Sequence, residues 1–105
     1  MTKEQVVSMI RSMNIPFAYD HFAEGESVNP PFLVYLYPGS DNFAADGTVY
    51  YKRDKLHIEL YTDKKDDDLE DRIESIINRC GLYYNKSETW IPSEKLYEVL
   101  YQTEV

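Results

Sequence analysis

The period of apolar positions changes several times along the chain. From residue 2 to 13, Val6, Met9, Ile10 and Met13 recur at helical spacing and form one apolar stripe. Thr2 and Gln5 have capping-box spacing at its start, and Asn14 and Pro16 end it. In the segment that follows, Phe17, Tyr19 and Phe22 are expected to act as packing anchors, and Pro30-Pro31 directs the backbone into an extended conformation. The run Phe32 to Tyr37 (FLVYLY) is short, aromatic and β-branched, which predicts a buried strand broken by Pro38-Gly39.

The stretch SDNFAADG reads as a loop with a turn at Asp46-Gly47, a good hairpin signal between strand-like runs. A strand at Thr48 to Tyr51 then leads into a second at Lys55 to Thr62. There Leu56, Ile58, Leu60 and Thr62 share one face, and Lys55, His57, Glu59 and Tyr61 share the other. Such alternation marks a sheet with one covered face.

Residues 67–80 carry the clearest helical pattern, with Leu69, Ile73, Ile76, Ile77 and Cys80 on one stripe. Asp67 as cap with Glu70 has capping-box spacing, Arg79 sits in the last turn, and Gly81 is the expected stop. Leu82 to Thr89 reads as a strand. Lys95 to Val105 fits a helix started by Ser93 or a strand, and its branched and aromatic content favours the strand. The order is then α-β-β-β-α-β-β. This is an α+β fold with two helices on one face of a mainly antiparallel sheet of about four to five strands.

The chain has 105 residues, enough for a single domain (residues 1–105) that buries roughly two-thirds of its unfolded surface. Nothing in it suggests repeats or linkers. Ten tyrosines, four phenylalanines and one tryptophan make it rich in aromatics. Tyrosine suits strands and half-buried interfaces because its apolar body carries a polar tip. The formal net charge of -8 opposes tight binding to a nucleic-acid backbone and docking on anionic lipid. With one cysteine, Cys80, no intramolecular disulfide forms, which reads as a reducing compartment. Cys80 lies on a helical stripe and reads as a small core residue. The stretch MTKEQVVSMIRSM lacks the apolar region and cleavage site of a signal peptide, and no apolar run is long enough to span a bilayer.

The acidic stretch Asp63 to Glu74 imitates a calcium loop, with Asp63 first, Asp67 fifth and Glu74 twelfth. It fails where Lys65 takes the third position and Asp68 the glycine position. A capped helix with acids in its first turn accounts for the same residues. His21 and His57 have no neighbouring nucleophile motif, and no phosphate-binding or zinc motif is present. No catalytic, metal-binding or cofactor-binding residue is therefore assigned, and no enzyme activity or cofactor is expected. The remaining candidates are partner-contact residues: Asp41, Asn42, Phe43, Tyr50, Tyr51, Tyr61, Tyr83 and Tyr84. Within Tyr50-Tyr51 and Tyr83-Tyr84, alternation should leave one ring of each pair on the outer surface.

The strings PFAYDHFAEGE, DNFAADGTVYYK, IELYTDKKDDDLEDRIESII and SETWIPSEKLYEVLYQTEV resemble a family of small proteins from long-tailed phages and prophages of Gram-positive bacteria. These are the tail-completion, tail-terminator or head–tail joining proteins. The resemblance covers nearly the whole chain and includes no catalytic signature. Asp67 stands where the family often has proline, and both residues suit a helix start. The family implies an α+β fold and a structural role as a homo-oligomeric ring, typically a hexamer, on the head-proximal end of the tail tube. Its partners would be other copies, the tail tube protein and head–tail connector proteins, with DNA passing through the ring. Its location would be the host cytoplasm during assembly and then the virion. An acidic wall that repels phosphate suits that job, and the loop Gly39–Gly47 is expected to order on assembly. A head-side connector or minor capsid component and an acidic module that binds a host protein are the alternatives.

Overall fold

In the computed structural model the helix stripes and strand alternations resolve, among the described residues, into two helices and a six-stranded sheet. The structure describes residues 1–23, 25, 28–45 and 48–105; for 43–45 and 48–51 the description is of the backbone alone. The elements are α1 (Lys3–Ser12), β1 (Phe17–Tyr19), β2 (Phe32–Leu36), β3 (Ser40–Ala45), β4 (Thr48–Thr62), α2 (Asp67–Arg79), β5 (Asn85–Ile91) and β6 (Leu96–Glu104). The sheet runs β1-β2-β4-β6-β5, with β3 paired to β4 off this path. Among the described residues, only β1 and β2 are parallel; every other pairing is antiparallel.

The class, both helices and the strand at the C-terminal end agree with the sequence reading. Two strands do not. Phe17–Tyr19, read as loose packing anchors, adds a parallel edge strand to β2, with Phe17 opposite Leu33. The predicted loop after Gly39 is strand β3, and the two runs from Thr48 to Thr62 are one continuous strand of 15 residues. The order is therefore α-β-β-β-β-α-β-β. The run beginning at Leu82 becomes a strand only at Asn85.

Helix α1 starts as its sequence demands. The Thr2 hydroxyl accepts from the Gln5 amide N–H at 3.1 Å, and the Gln5 side chain accepts from the Thr2 N–H at 2.8 Å. At α2 the cap is Asp66, one residue earlier than the sequence suggested, and its carboxylate accepts from the Leu69 N–H at 3.0 Å. Gly81, with φ +74°, ends α2 in the left-handed region, where a side chain would be strained. Cys80 is exposed at the helix end, not part of the core.

One face of the sheet holds the core. Leu33 and Tyr35 of β2, Leu56, Ile58 and Leu60 of β4, and Val99 and Tyr101 of β6 meet Val6, Met9 and Ile10 of α1 and Leu69, Ile73, Ile76 and Ile77 of α2. The register lines these strand residues up: Leu33 opposes Leu60, Leu60 opposes Val99, and Ile58 opposes both Tyr35 and Tyr101. The Arg72 guanidinium donates to the Met13 carbonyl at 2.8 Å and ties α2 to the end of α1. Among the described residues, no helix is long and apolar enough to cross a membrane.

Candidate interaction surface

Strand β4 is longer than the sheet it crosses. Fifteen residues of strand reach about 50 Å, and the molecule measures 49 × 30 × 24 Å. Lys55–Thr62 pairs with β6 on one side, and His57–Tyr61 pairs with β2 on the other. Asp54 still exchanges two backbone hydrogen bonds with Val105 (3.1 and 2.8 Å). Beyond that point, among the described residues, the strand pairs only with β3. The result is a two-stranded arm that continues past the helix-covered part of the sheet.

The arm holds five of the eight predicted contact residues. Asp41 opposes Arg53, Asn42 opposes Lys52, and Phe43 opposes Tyr51. The register shifts between Phe43 and Ala44, which leaves Tyr50 without an opposite residue, the pattern of a β-bulge. Asp41 and Asn42 are exposed. The side chains of Phe43, Tyr50 and Tyr51, and the predicted turn Asp46-Gly47, lie outside the described residues. Asp41 faces Lys55 at 3.8 Å, and its hydrogen bond to Glu104 raises the Glu104 pKa above the ordinary carboxylate value. An open cleft of about 800 Å³ lies at the arm's base, with Arg53, Lys55, His57, Tyr83, Asn85 and Glu104 among its walls. Its lining carries both signs of charge.

The other three predicted residues separate. Tyr83 is 82% exposed, the most exposed large hydrophobic side chain among the described residues. Tyr84 turns inward, donates to Glu74 Oε1 at 3.1 Å, and packs edge-on to Tyr101 with ring centres 5.5 Å apart. One ring of the pair is thus outside, as alternation suggested, although both precede β5. Tyr84 belongs to the packing between α2 and the sheet. Tyr61 lies on the face of the sheet without helices, stacked on Phe32 at 5.1 Å. Its hydroxyl donates to Glu59 at 2.7 Å and lies 3.3 Å from Glu98.

Two carboxylate clusters escaped the sequence reading. On the helix-covered side, Glu70 is only 3% exposed. It meets Lys65 Nζ at 2.6 Å and Lys86 Nζ at 2.8 Å, and Lys65 also pairs with Glu88. Glu74 accepts from Lys86 at 2.9 Å, Tyr84 at 3.1 Å and Tyr101 at 2.8 Å. Burial pushes both carboxyl pKa values up, but hydrogen bonds from the lysines, joined at Glu74 by those from Tyr101 and Tyr84, outweigh it and hold both below the ordinary value. A carboxylate held ionised in this way anchors structure and does not exchange protons near neutral pH. Within the stretch that imitated a calcium loop, Asp66 caps α2 and Glu70 and Glu74 hold lysines, while Asp63 and Asp67 are exposed. Among the described residues, no three His, Cys, Asp or Glu side chains gather as a metal site.

The second cluster is Glu59, Tyr61 and Glu98 on the uncovered face. Burial, and then the Glu59 charge, raise the Glu98 pKa. Alternation placed Glu59 and Tyr61 on that face. The meeting with Glu98 depends on Tyr61 opposing Glu98 across strands 37 positions apart, which local pattern does not report.

No protein-family model matches the chain, and no curated protein matches it.

Proposed function

We propose that this chain is a structural assembly protein of a long-tailed phage or prophage of Gram-positive bacteria. In this reading several copies form a ring, six in the typical family pattern, that caps the head-proximal end of the tail tube. The ring halts tube growth and presents a surface to the head–tail connector. Its partners are other copies, the tube protein and the connector, and DNA passes through without specific binding. The protein works in the host cytoplasm during assembly and afterwards in the virion.

The observation that carries the reading is the β3/β4 arm. A hairpin with no third strand and no helix over it is marginal in water. Among the described residues, β3 and the Thr48–Arg53 part of β4 pair only with each other. An arm of this kind gains its support from another molecule, by strand addition or by packing. The family resemblance along the chain and the acidic charge of -8 support the same reading.

The test uses tail tubes purified from a phage or prophage that encodes this chain and lacks its own copy of the protein. The added protein is expected to co-sediment with tubes at about one ring per tube end. A variant in which residues 41–53 are replaced by a short glycine linker should remain folded and lose at least about tenfold in affinity. Binding to heads and not to tubes would overturn the tail assignment.

A further inference from the structure

We infer that the uncovered face of the sheet docks a second copy of this chain, which seats a lysine or arginine between Glu59 and Glu98. This deepens the ring reading and rests on it.

Both helices lie on the opposite face. Yet the uncovered face is not a fully solvated polar surface. Val34 is buried there, Phe32, Leu36 and Leu100 are half-buried, and Phe22 packs edge-on to Phe32 at 5.4 Å. Glu59, Tyr61 and Glu98 are half-buried among these apolar groups. Tyr61 has one hydroxyl proton, and it goes to Glu59 at the shorter distance, 2.7 against 3.3 Å. Among the described residues, neither Glu59 nor Glu98 forms an ion pair. His57, two positions along β4, is engaged with Gln102 at 3.3 Å.

The covered side supplies the comparison. There the same chain brings two lysines and two tyrosine hydroxyls to Glu70 and Glu74. Two partly buried carboxylates without a cation are unfavourable for the isolated fold. A cation from outside resolves the imbalance. A second copy can provide it, because Lys64 and Lys95 are exposed and take part in no ion pair among the described residues. The same charges exclude a symmetric face-to-face dimer, which would bring four carboxylates together. The contact must join two different surfaces, and a contact of that kind closes into a ring or runs on as a filament.

The test is sedimentation equilibrium of the wild type and of the double variant Glu59→Gln/Glu98→Gln at concentrations up to about 1 mM, beside thermal melting of both. The expected result is a wild type that self-associates and a variant whose association constant is at least about tenfold lower. The variant should melt at the same temperature or higher, because the amides relieve the charge imbalance in the isolated fold. Equal association, or a variant that melts lower, would overturn the inference; the second result would mean that the carboxylates hold the fold. A wild type that stays monomeric throughout would also overturn it, while binding of the protein to tail tubes would still support the tail reading.

Discussion

Alanine at Tyr101 is expected to destabilise the domain by about 4 kcal/mol, the range for emptying a large aromatic site. Tyr101 is fully buried in β6, opposite Ile58 on one side and Lys86 on the other. Its ring meets Tyr84, and its hydroxyl donates to Glu74 at 2.8 Å. Burial and the Glu74 charge push its pKa far above the ordinary tyrosine value, so it stays a neutral donor. Truncation would empty the middle of the core where β4, β6 and α2 meet. Domains of this size hold only about 5–15 kcal/mol in total, so the variant should be partly unfolded at physiological temperature. Tyr101→Phe keeps the ring and loses only the hydroxyl. It should cost about 1–2 kcal/mol, because Glu74 keeps Tyr84 and Lys86. Urea unfolding checks both values. A cost below about 2 kcal/mol for alanine would mean that the site collapses easily and is not the centre of the core.

The second large effect is electrostatic and depends on pH. Removing both lysines with Lys65→Ala/Lys86→Ala leaves Glu70 buried with no cation. The expected loss is about 3 kcal/mol at neutral pH, the lower end for breaking a buried pair, since both lysines are themselves partly exposed. The sign of the pH dependence should then reverse. In the wild type the Glu70 and Glu74 pKa values lie below their unfolded values. Their contribution is complete above the unfolded carboxylate pKa and is lost as pH falls through the folded one. In the variant, burial acts alone on Glu70 and raises its pKa above the unfolded value. Acidification from neutral pH should therefore narrow the gap between the two proteins. Urea midpoints at pH 7 and about pH 4.5 measure this. A gap that stays constant would mean that Glu70 does not depend on the lysines.

The helices were legible because their signals are local. The capping box at Thr2 and Gln5 and the stripe through Ile73, Ile76 and Ile77 lie within a few residues of one another. The alternation of Leu56, Ile58 and Leu60 against His57, Glu59 and Tyr61 was equally plain, because each face of β4 has its own chemistry. Strand β3 was hidden for the opposite reason. Ser40, Asp41 and Asn42 have low strand propensity, and their strand state comes from pairing with Asp54, Arg53 and Lys52. Cys80 fits the periodicity of α2, but the helix ends at Arg79 and turns it outward. The two carboxylate clusters were invisible because each joins residues distant in sequence. Glu74 gathers Tyr84, Lys86 and Tyr101, and only the fold brings them within reach. Of the predicted contact residues whose side chains are described, Asp41, Asn42, Tyr61 and Tyr83 lie on outer or uncovered surfaces, and Tyr84 turns inward.

The central proposal, a ring that ends the tail, is tested most directly by electron microscopy of particles from a phage or prophage in which this gene is disrupted. The expected result is overlong tails detached from DNA-filled heads, and restoration of normal tails by the wild-type gene supplied in trans. Tails of normal length lying beside full heads would contradict the terminator role and assign the protein to the head side of the joint. Intact infectious particles would contradict the assembly role itself.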